Sequence, residues 1–321
     1  MRAARYPTAG PDAGRIDLVD LPVPEPGEGE VLVRVHASGV NPTDWKTRLG
    51  GGLTGGFDAI VPNQDGAGEI ERVGPGVDPG RVGERVWLWE CQWQRAHGSA
   101  AQWIALPERQ AVRLPDAISL EHGAGLGIPA MTAHRTLFAH GPIDGARVLV
   151  QGGAGAVGHA AIQLAVRGGA RVATTVSSEE KAQLAREAGA ELVVNYREQD
   201  VVEAVRAWGP VDRVIEVAIA ANLETDGAVL QRSGAIASYG APDGPLPPNF
   251  DLIVKNASIH LVLVYTMPEE AKRQAVADIS SALQDGALRP LPVARFAFEE
   301  AQAAHEAVEG GFIGKVVIDV P

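Results

Sequence analysis

Four glycines within seven residues, Gly152, Gly153, Gly155 and Gly158, make up the part of this chain best suited to hold a ligand by its backbone. They follow the aliphatic run Val148-Leu149-Val150 and open an apolar, alanine-rich stretch that ends near Val166. Strand, tight turn and helix in that order fit a dinucleotide site, with Gly153-Ala154-Gly155-Ala156-Val157-Gly158 as the turn. Missing Cβ atoms let the backbone approach a pyrophosphate, and the unpaired first-turn N–H groups of the helix point at the anion. A plain turn that packs a helix on a strand has the same spelling, but it leaves the residues that follow unexplained.

Those residues bear on which dinucleotide is held. An NAD site places a carboxylate about 20 residues beyond the glycines, at the tip of the second strand, to bind the adenosine ribose. This chain has Thr174-Thr175-Val176-Ser177-Ser178 there. An acid at that tip would repel the extra phosphate of NADPH, whereas hydroxyls donate to it. Lys181 adds charge one turn into the next helix, and Tyr196 ends the following strand. Each has a bland alternative: Ser177 or Ser178 capping the helix, Lys181 solvated, Tyr196 packed at a strand end. Together they favour NADPH over NADH.

The other groups with chemical potential cluster early. Asn41, Asp44 and Lys46 lie within one short segment. An asparagine there can hydrogen-bond a cofactor or substrate oxygen, and a lysine can stabilise an enolate or quinol anion, or donate a proton if burial lowers its pKa. The alternative is a turn at Asn41-Pro42, a helix cap at Asp44 and a solvated Lys46. Four of the six tryptophans, Trp87, Trp89, Trp93 and Trp103, fall close together, which suggests an aromatic wall for a flat substrate. Trp89 and Trp93 have the more polar neighbours.

The elements that must position these groups divide the chain. From Met1 to about Val112 the runs IDLVDLPVP, EVLVRVHASGV, GAGEIERVG and ERVWLW read as short strands between Gly and Pro turns, so a barrel-like or sandwich domain is expected. From about residue 125 to 265, strand and helix patterns alternate, as in a parallel sheet wrapped by helices. The last segment offers a helix from Pro268 to Asp285, then FEEAQAAHEAVEGGFIGKVVIDV as helix, turn and strand. With the parallel sheet complete by then, this tail is expected to return to the first domain. The expected division is 1–124, 125–265 and 266–321.

At 321 residues and 45% hydrophobic composition the chain has material for two sizeable cores. Its net charge of −12 argues against nucleic acid or anionic membrane as the main partner. The N-terminus has no apolar core of signal-peptide length, and no apolar run reaches about 18 residues, so a cytoplasmic location is expected. One cysteine, Cys91, excludes an internal disulfide framework or a multi-cysteine zinc lobe.

In these segments the chain resembles the zinc-independent quinone oxidoreductases, the zeta-crystallin-like branch of the medium-chain dehydrogenase/reductase superfamily. The matching segments are Gly39-Val40-Asn41-Pro42-Thr43-Asp44, Gly127-Ile128-Pro129-Ala130-Met131-Thr132-Ala133, the GAGAVG turn, Asn195-Tyr196-Arg197-Glu198, Ala304-His305-Glu306 and Gly314-Lys315-Val316. The resemblance implies a GroES-like β-rich catalytic domain built from both chain ends, a Rossmann domain with a doubly wound parallel sheet, and a homodimer joined through the Rossmann sheets. It places Ser177, Lys181 and Tyr196 at the NADPH 2′-phosphate and Asn41 and Thr132 beside the nicotinamide. Gly240, the strand Leu261 to Tyr265 with Val264 and Tyr265, and Lys315 belong to its cofactor contacts.

Zinc-dependent relatives carry a cysteine in the segment of Gly39 to Asp44 and Gly-His-Glu where Asn63-Gln64-Asp65 stands, so no catalytic metal is expected here. Many relatives also have a tyrosine five residues after the asparagine, where this chain has Trp45-Lys46.

Without a Lewis acid to stabilise an alkoxide, alcohol oxidation is the poorer reading. Hydride transfer to an electrophile with its own electron sink remains: a quinone first, an enone or enoyl double bond as the alternative. A third reading is an NADPH-binding sensor with little turnover, since a fold does not determine a function.

Overall fold

A computed structural model describes residues 1–51, 56–242 and 244–321. The chain forms two compact units, residues 1–128 with 292–321, and residues 129–291.

The first unit is β-rich. Strands β1 (Arg2–Pro7), β2 (Asp17–Asp20) and β4 (Ala59–Ile60) form a small sheet in the order β2-β1-β4. Between them run β3 (Glu30–Val40) and a seven-residue helix α1 (Pro42–Arg48). Strands β5 (Asp65–Val73), β6 (Arg85–Leu88), β7 (Trp103–Pro107) and β8 (Ala111–Arg113) follow, then a one-turn helix α2 (Leu120–Gly123). The chain's last strands, β15 (Val293–Phe296) and β16 (Lys315–Asp319), complete a sheet ordered β15-β16-β3-β5-β6-β8, with β7 also on β3.

Alternation explains its core. Val31, Val33 and Val35 of β3 turn to one face and meet Ile70, Val86, Leu88, Ile104, Leu106, Val316 and Ile318. Each buried aliphatic side chain is worth about 1.5–3 kcal/mol relative to exposure. The antiparallel pairing of β16 with β3, Val317 opposite Gly39, ties the two chain ends together.

The second unit alternates strand and helix: α3 (Gly127–Phe138), β9 (Arg147–Val150), α4 (Ala156–Arg167), β10 (Arg171–Val176), α5 (Glu179–Glu187) and β11 (Leu192–Asn195). It continues with α6 (Val201–Trp208), β12 (Val211–Glu216), α7 (Ile219–Val229), β13 (Leu230–Ser238), α8 (Phe250–Val254), β14 (Ser258–Leu261) and α9 (Glu269–Gln284). All neighbours in the six-stranded sheet are parallel, in the order β11-β10-β9-β12-β13-β14. That is a doubly wound Rossmann sheet, with its order reversing between β9 and β12, where ligands bind. Val148, Leu149 and Val150 are fully buried, as a strand covered on both faces requires.

Two expectations change. The tail returns to the β-rich unit only from Pro292, not from residue 266, because α9 buries Ala275, Ile279, Ala282 and Leu283 within the second unit. Arg167 pairs with Asp285 there, and Gln163 accepts from Arg289 N at 2.8 Å. The run expected as a strand through Tyr265 leaves the sheet at Leu261 and makes a 3₁₀ turn over Val264–Thr266. The four tryptophans of the expected wall differ in setting, with Trp93 half-buried. Trp87 and Trp89 are buried in the β-rich unit, while Trp103 donates to Glu71 at 2.7 Å beneath the Arg34 guanidinium. The last helix of the chain, α10 (Ala301–Glu309), buries His305, whose Nε2 lies 2.9 Å from Asn63 Oδ1.

Candidate active site

In the second unit the site is the carboxyl end of the parallel sheet. The turn leaving β9 has Gly152 at φ +72°, a conformation open to glycine, and its carbonyl accepts from Gly155 N at 3.0 Å. A Cβ at Gly153 would lie 2.1 Å from Thr174 Oγ1, and one at Gly158 2.4 Å from the Gly152 oxygen. The backbone of α4 is therefore drawn onto β9 and β10 closer than any side chain permits. Gly155 is the N-cap, so the free first-turn N–H groups belong to Ala156, Val157 and Gly158, the arrangement that receives a pyrophosphate. Ala154 is buried beneath the turn. The cradle fits a dinucleotide.

At the tips of β10 and β11 the alternatives for Ser177, Ser178 and Lys181 separate. Ser178 caps α5, accepting from Lys181 N at 3.4 Å, so the cap is not Ser177. Ser177 instead receives the Lys181 ammonium at 3.1 Å. Tyr196 N bonds Val176 O at 3.0 Å, which holds its half-exposed phenol beside the same strand tip. The first acid of α5, Glu179, is bound to Arg186 at 2.7 Å. One ammonium and one hydroxyl thus meet at the tip of β10, with Tyr196 at the end of the neighbouring strand and Glu179 engaged by Arg186.

Gly240 follows β13 against the end of β12, where a Cβ would sit 1.9 Å from Val217 O. Thr132 is buried in α3. Val264 and Tyr265 are buried in their 3₁₀ turn, and the Tyr265 carbonyl accepts from Lys272 Nζ at 2.9 Å.

In the β-rich unit Asn41 precedes α1, and its backbone N–H donates to Asp44 Oδ2 at 2.7 Å. Asp44 Oδ1 accepts from Gln64 N at 3.2 Å, so this carboxyl ties α1 to the start of β5. The Asn41 side chain is held at both ends: its Nδ2 donates to Asp65 Oδ2 at 2.7 Å, and its Oδ1 accepts from Lys315 Nζ at 2.7 Å. Lys315 also lies 3.3 Å from Asp65, whose second oxygen accepts from Ile128 N at 2.7 Å.

Two carboxyls and one ammonium, all nearly inaccessible, cannot carry their full charge in a dry interior. Burial, and then the neighbouring Asp65, push the Asp44 carboxyl up to about 8, against the pull of its two N–H donors and Lys315. Burial raises Asp65 as well, with Lys315 and Asn41 opposing. With a proton on Asp44 the cluster is neutral, an Asp65–Lys315 ion pair beside a carboxylic acid.

Lys315 and Lys46, both expected at the site, have contrasting settings. Lys315 is held by Asn41 and Asp65 inside the β-rich unit. Lys46 is exposed, its ammonium 5.6 Å from the Trp45 ring, so the buried setting considered for it is not found. Asp65 and Lys315 were missed as partners because their contacts with Asn41 span 24 and 274 residues, where no local spacing gives a signal.

Comparison with known proteins agrees with this construction. Residues 27–116 match the alcohol dehydrogenase GroES-like domain, and residues 156–281 match the domain described as zinc-binding dehydrogenase. These two domains in series define a medium-chain dehydrogenase/reductase. A quinone oxidoreductase of Pongo abelii is 30% identical over 326 residues, covering 99% of this chain and 97% of that protein. A 2-haloacrylate reductase of Burkholderia sp is 32% identical, covering 99% of this chain and 98% of that one. The quinone oxidoreductase of Thermus thermophilus, solved alone and with NADPH, superposes with a TM-score of 0.84 at 33% identity, covering 99% of this chain and 100% of its own. The chain belongs to the quinone oxidoreductase family of that superfamily.

Proposed function

We propose that this chain is an NADPH-dependent reductase that delivers hydride to a quinone, or to a similarly conjugated flat electrophile, with no bound metal. The observation that carries the reading is the Lys181–Ser177 contact at the tip of β10, with Tyr196 beside it. The chain is an oxidoreductase, and NADPH is its coenzyme. When bound, NADPH supplies the hydride, the hard part of the chemistry.

The chain's own residues bind and orient. The Gly153 to Gly158 turn holds the pyrophosphate, and Ser177, Lys181 and Tyr196 hold the 2′-phosphate. Asn41 uses one Nδ2 hydrogen on Asp65, which leaves the other for an oxygen that gains charge. Asp44 positions Asn41 by its backbone.

The metal-free reading rests on the donor set. Amides stand at Asn41 and Gln64, and the cation beside Asp65 is the Lys315 ammonium, which would repel a second one. Among the described residues no three His, Cys, Asp or Glu side chains are grouped to hold a metal ion.

Double-bond reduction of an enone is the second reading, and the 2-haloacrylate reductase relative favours it. A homodimer is supported by the edge position of β14, with Ile259 and Leu261 exposed beside Phe250 and Ile253 of α8. Among the described residues no helix is long and apolar enough to cross a membrane, in keeping with the proposed cytoplasmic site of action.

The test is NADPH oxidation by chelator-treated protein, with 9,10-phenanthrenequinone and with a simple enone. Quinone turnover without added metal supports the proposal, enone turnover alone moves the substrate class, and a requirement for zinc overturns the metal-free reading. Tight NADPH binding without turnover on either substrate would point to a sensor.

A further inference from the structure

Behind the glycine turn lies a second pair of buried carboxyls that the reading above does not use. Glu216 ends β12 and Asp226 lies on the buried face of α7, and both are fully inaccessible. Glu216 accepts from Ala218 N and from Asn222 Nδ2 at 3.1 Å. Asp226 Oδ1 accepts from Gln151 Nε2 at 2.9 Å, while its Oδ2 is buried with no donor. Burial, and then the neighbouring Glu216 carboxyl, hold the Asp226 carboxyl well above its usual range. Two acceptors facing each other in a dry site need one proton between them.

That pair is wired to the dinucleotide turn. Gln151, held by Asp226 through its amide nitrogen, accepts from Thr175 Oγ1 at 2.6 Å through its oxygen. Thr175 Oγ1 accepts in turn from Gly152 N at 3.2 Å. Gly152 is the left-handed residue whose carbonyl receives Gly155 N and sits against Gly158. The hydrogen bonds run without a gap from the carboxyl pair to the backbone that approaches the pyrophosphate.

We propose that Glu216 and Asp226 are a one-proton positioning pair for the dinucleotide turn: while they share a proton, Gln151 and Thr175 hold Gly152 in its binding conformation, and loss of that proton loosens the coenzyme. This rests on the NADPH reading. The balance is simple. With the proton present, Asp226 donates through Oδ2 to the Glu216 carboxylate, and the pair carries one negative charge. When the proton leaves to solvent, two carboxylates repel in a medium of low dielectric. Burial and Glu216 both hold the Asp226 carboxyl well above its usual range, so the proton is lost only as pH rises beyond the ordinary carboxyl range.

Among the described residues no cation bonds either carboxyl of the pair. From α6 and α8, Arg206 and Lys255 donate to the carbonyls of Ala228 and Gly227 at the end of α7. After β13 comes the Tyr239 phenol, half-buried and raised by desolvation and by Glu216. From β9 and β10 come the uncharged Gln151 and Thr175. The coenzyme phosphates change charge below neutrality, away from this window.

The test is the dissociation constant of NADPH and of NADH by fluorescence titration of the full chain, from about pH 7 to about pH 9.5, for wild type and Asp226→Asn. Wild type weakens toward both coenzymes by about tenfold across that range, the size of one pKa unit of linkage. Asp226→Asn supplies a permanent N–H donor to Glu216 and no second charge, so its profile is flat. Glu216→Gln makes the same test if Asp226→Asn fails to fold, and Gln151→Leu weakens both coenzymes at every pH. An alkaline weakening that survives both carboxyl substitutions, or a Gln151→Leu variant that binds as wild type does, overturns the positioning pair. Failure of wild type to bind NADPH at neutral pH instead overturns the coenzyme reading on which it rests.

Discussion

Two charged sites of this molecule use the same side-chain chemistry in opposite settings. At the tip of β10 an ammonium meets a hydroxyl in a half-exposed place, with Lys181 and Ser177 four residues apart. In the β-rich unit an ammonium meets an amide and a carboxylate out of solvent, with Lys315 brought to Asn41 and Asp65 by the pairing of β16 with β3. The first is ready to bind something and costs little to alter. The second is satisfied by the protein alone, and each member is held by the others, because removing one leaves a buried charge uncompensated.

The largest expected effect breaks the buried site. Lys315→Met strands the Asp65 carboxylate and is expected to destabilise by about 3–5 kcal/mol, read in chemical denaturation. Lys315→Met with Asp65→Asn should recover part of that loss, whereas additive losses would show that the two do not act as a pair. Next comes the cradle. Gly153→Ala places a Cβ on Thr174 Oγ1 and should weaken NADPH by about 100-fold, a loss of about 2.7 kcal/mol, seen by calorimetric titration.

A smaller effect follows the pH. The Asp44 carboxyl is raised from 3.8 to about 8, so between those values the folded chain binds more proton than the unfolded one. Stability contributed by this group is then present at low pH and falls as pH rises through that window. Asp44→Asn should make the melting temperature fall less from about pH 5 to about pH 8, by about 2 °C or more in scanning calorimetry. An unchanged slope would return Asp44 to an ordinary carboxylate. The smallest effect is at the exposed Lys46, where Lys46→Met should leave turnover and its pH profile within about twofold, as for other surface substitutions.

The same contrast explains what could be read from the amino-acid order. The glycine turn and the Ser177–Lys181 contact are contiguous, so spacing reveals them, and the alternating strands and helices of residues 147–238 reveal the sheet. The Asn41–Asp65–Lys315 network was illegible because it exists only after β3, β5 and β16 pair. Apolar runs misled for a related reason. The stretch after Ser258 stays mostly apolar through Val264 although the strand ends at Leu261, since an edge strand and the buried turn after it use the same residue types. Clustered tryptophans indicated nothing about direction: Trp87 and Trp89 went to the interior and Trp103 to the surface of its sheet. A complete sheet did not release the chain, because a parallel sheet still needs helices on its faces, and α9 supplies one.

The most direct test of the central claim is the ratio of NADH to NADPH dissociation constants, measured by calorimetry for wild type and for Lys181→Ala. Charge-assisted bonds of about 1.5–3 kcal/mol predict that wild type favours NADPH and that the substitution weakens NADPH by at least about tenfold while leaving NADH nearly unmoved. Equal losses for the two coenzymes, or a wild type that binds NADH as well as NADPH, would contradict it.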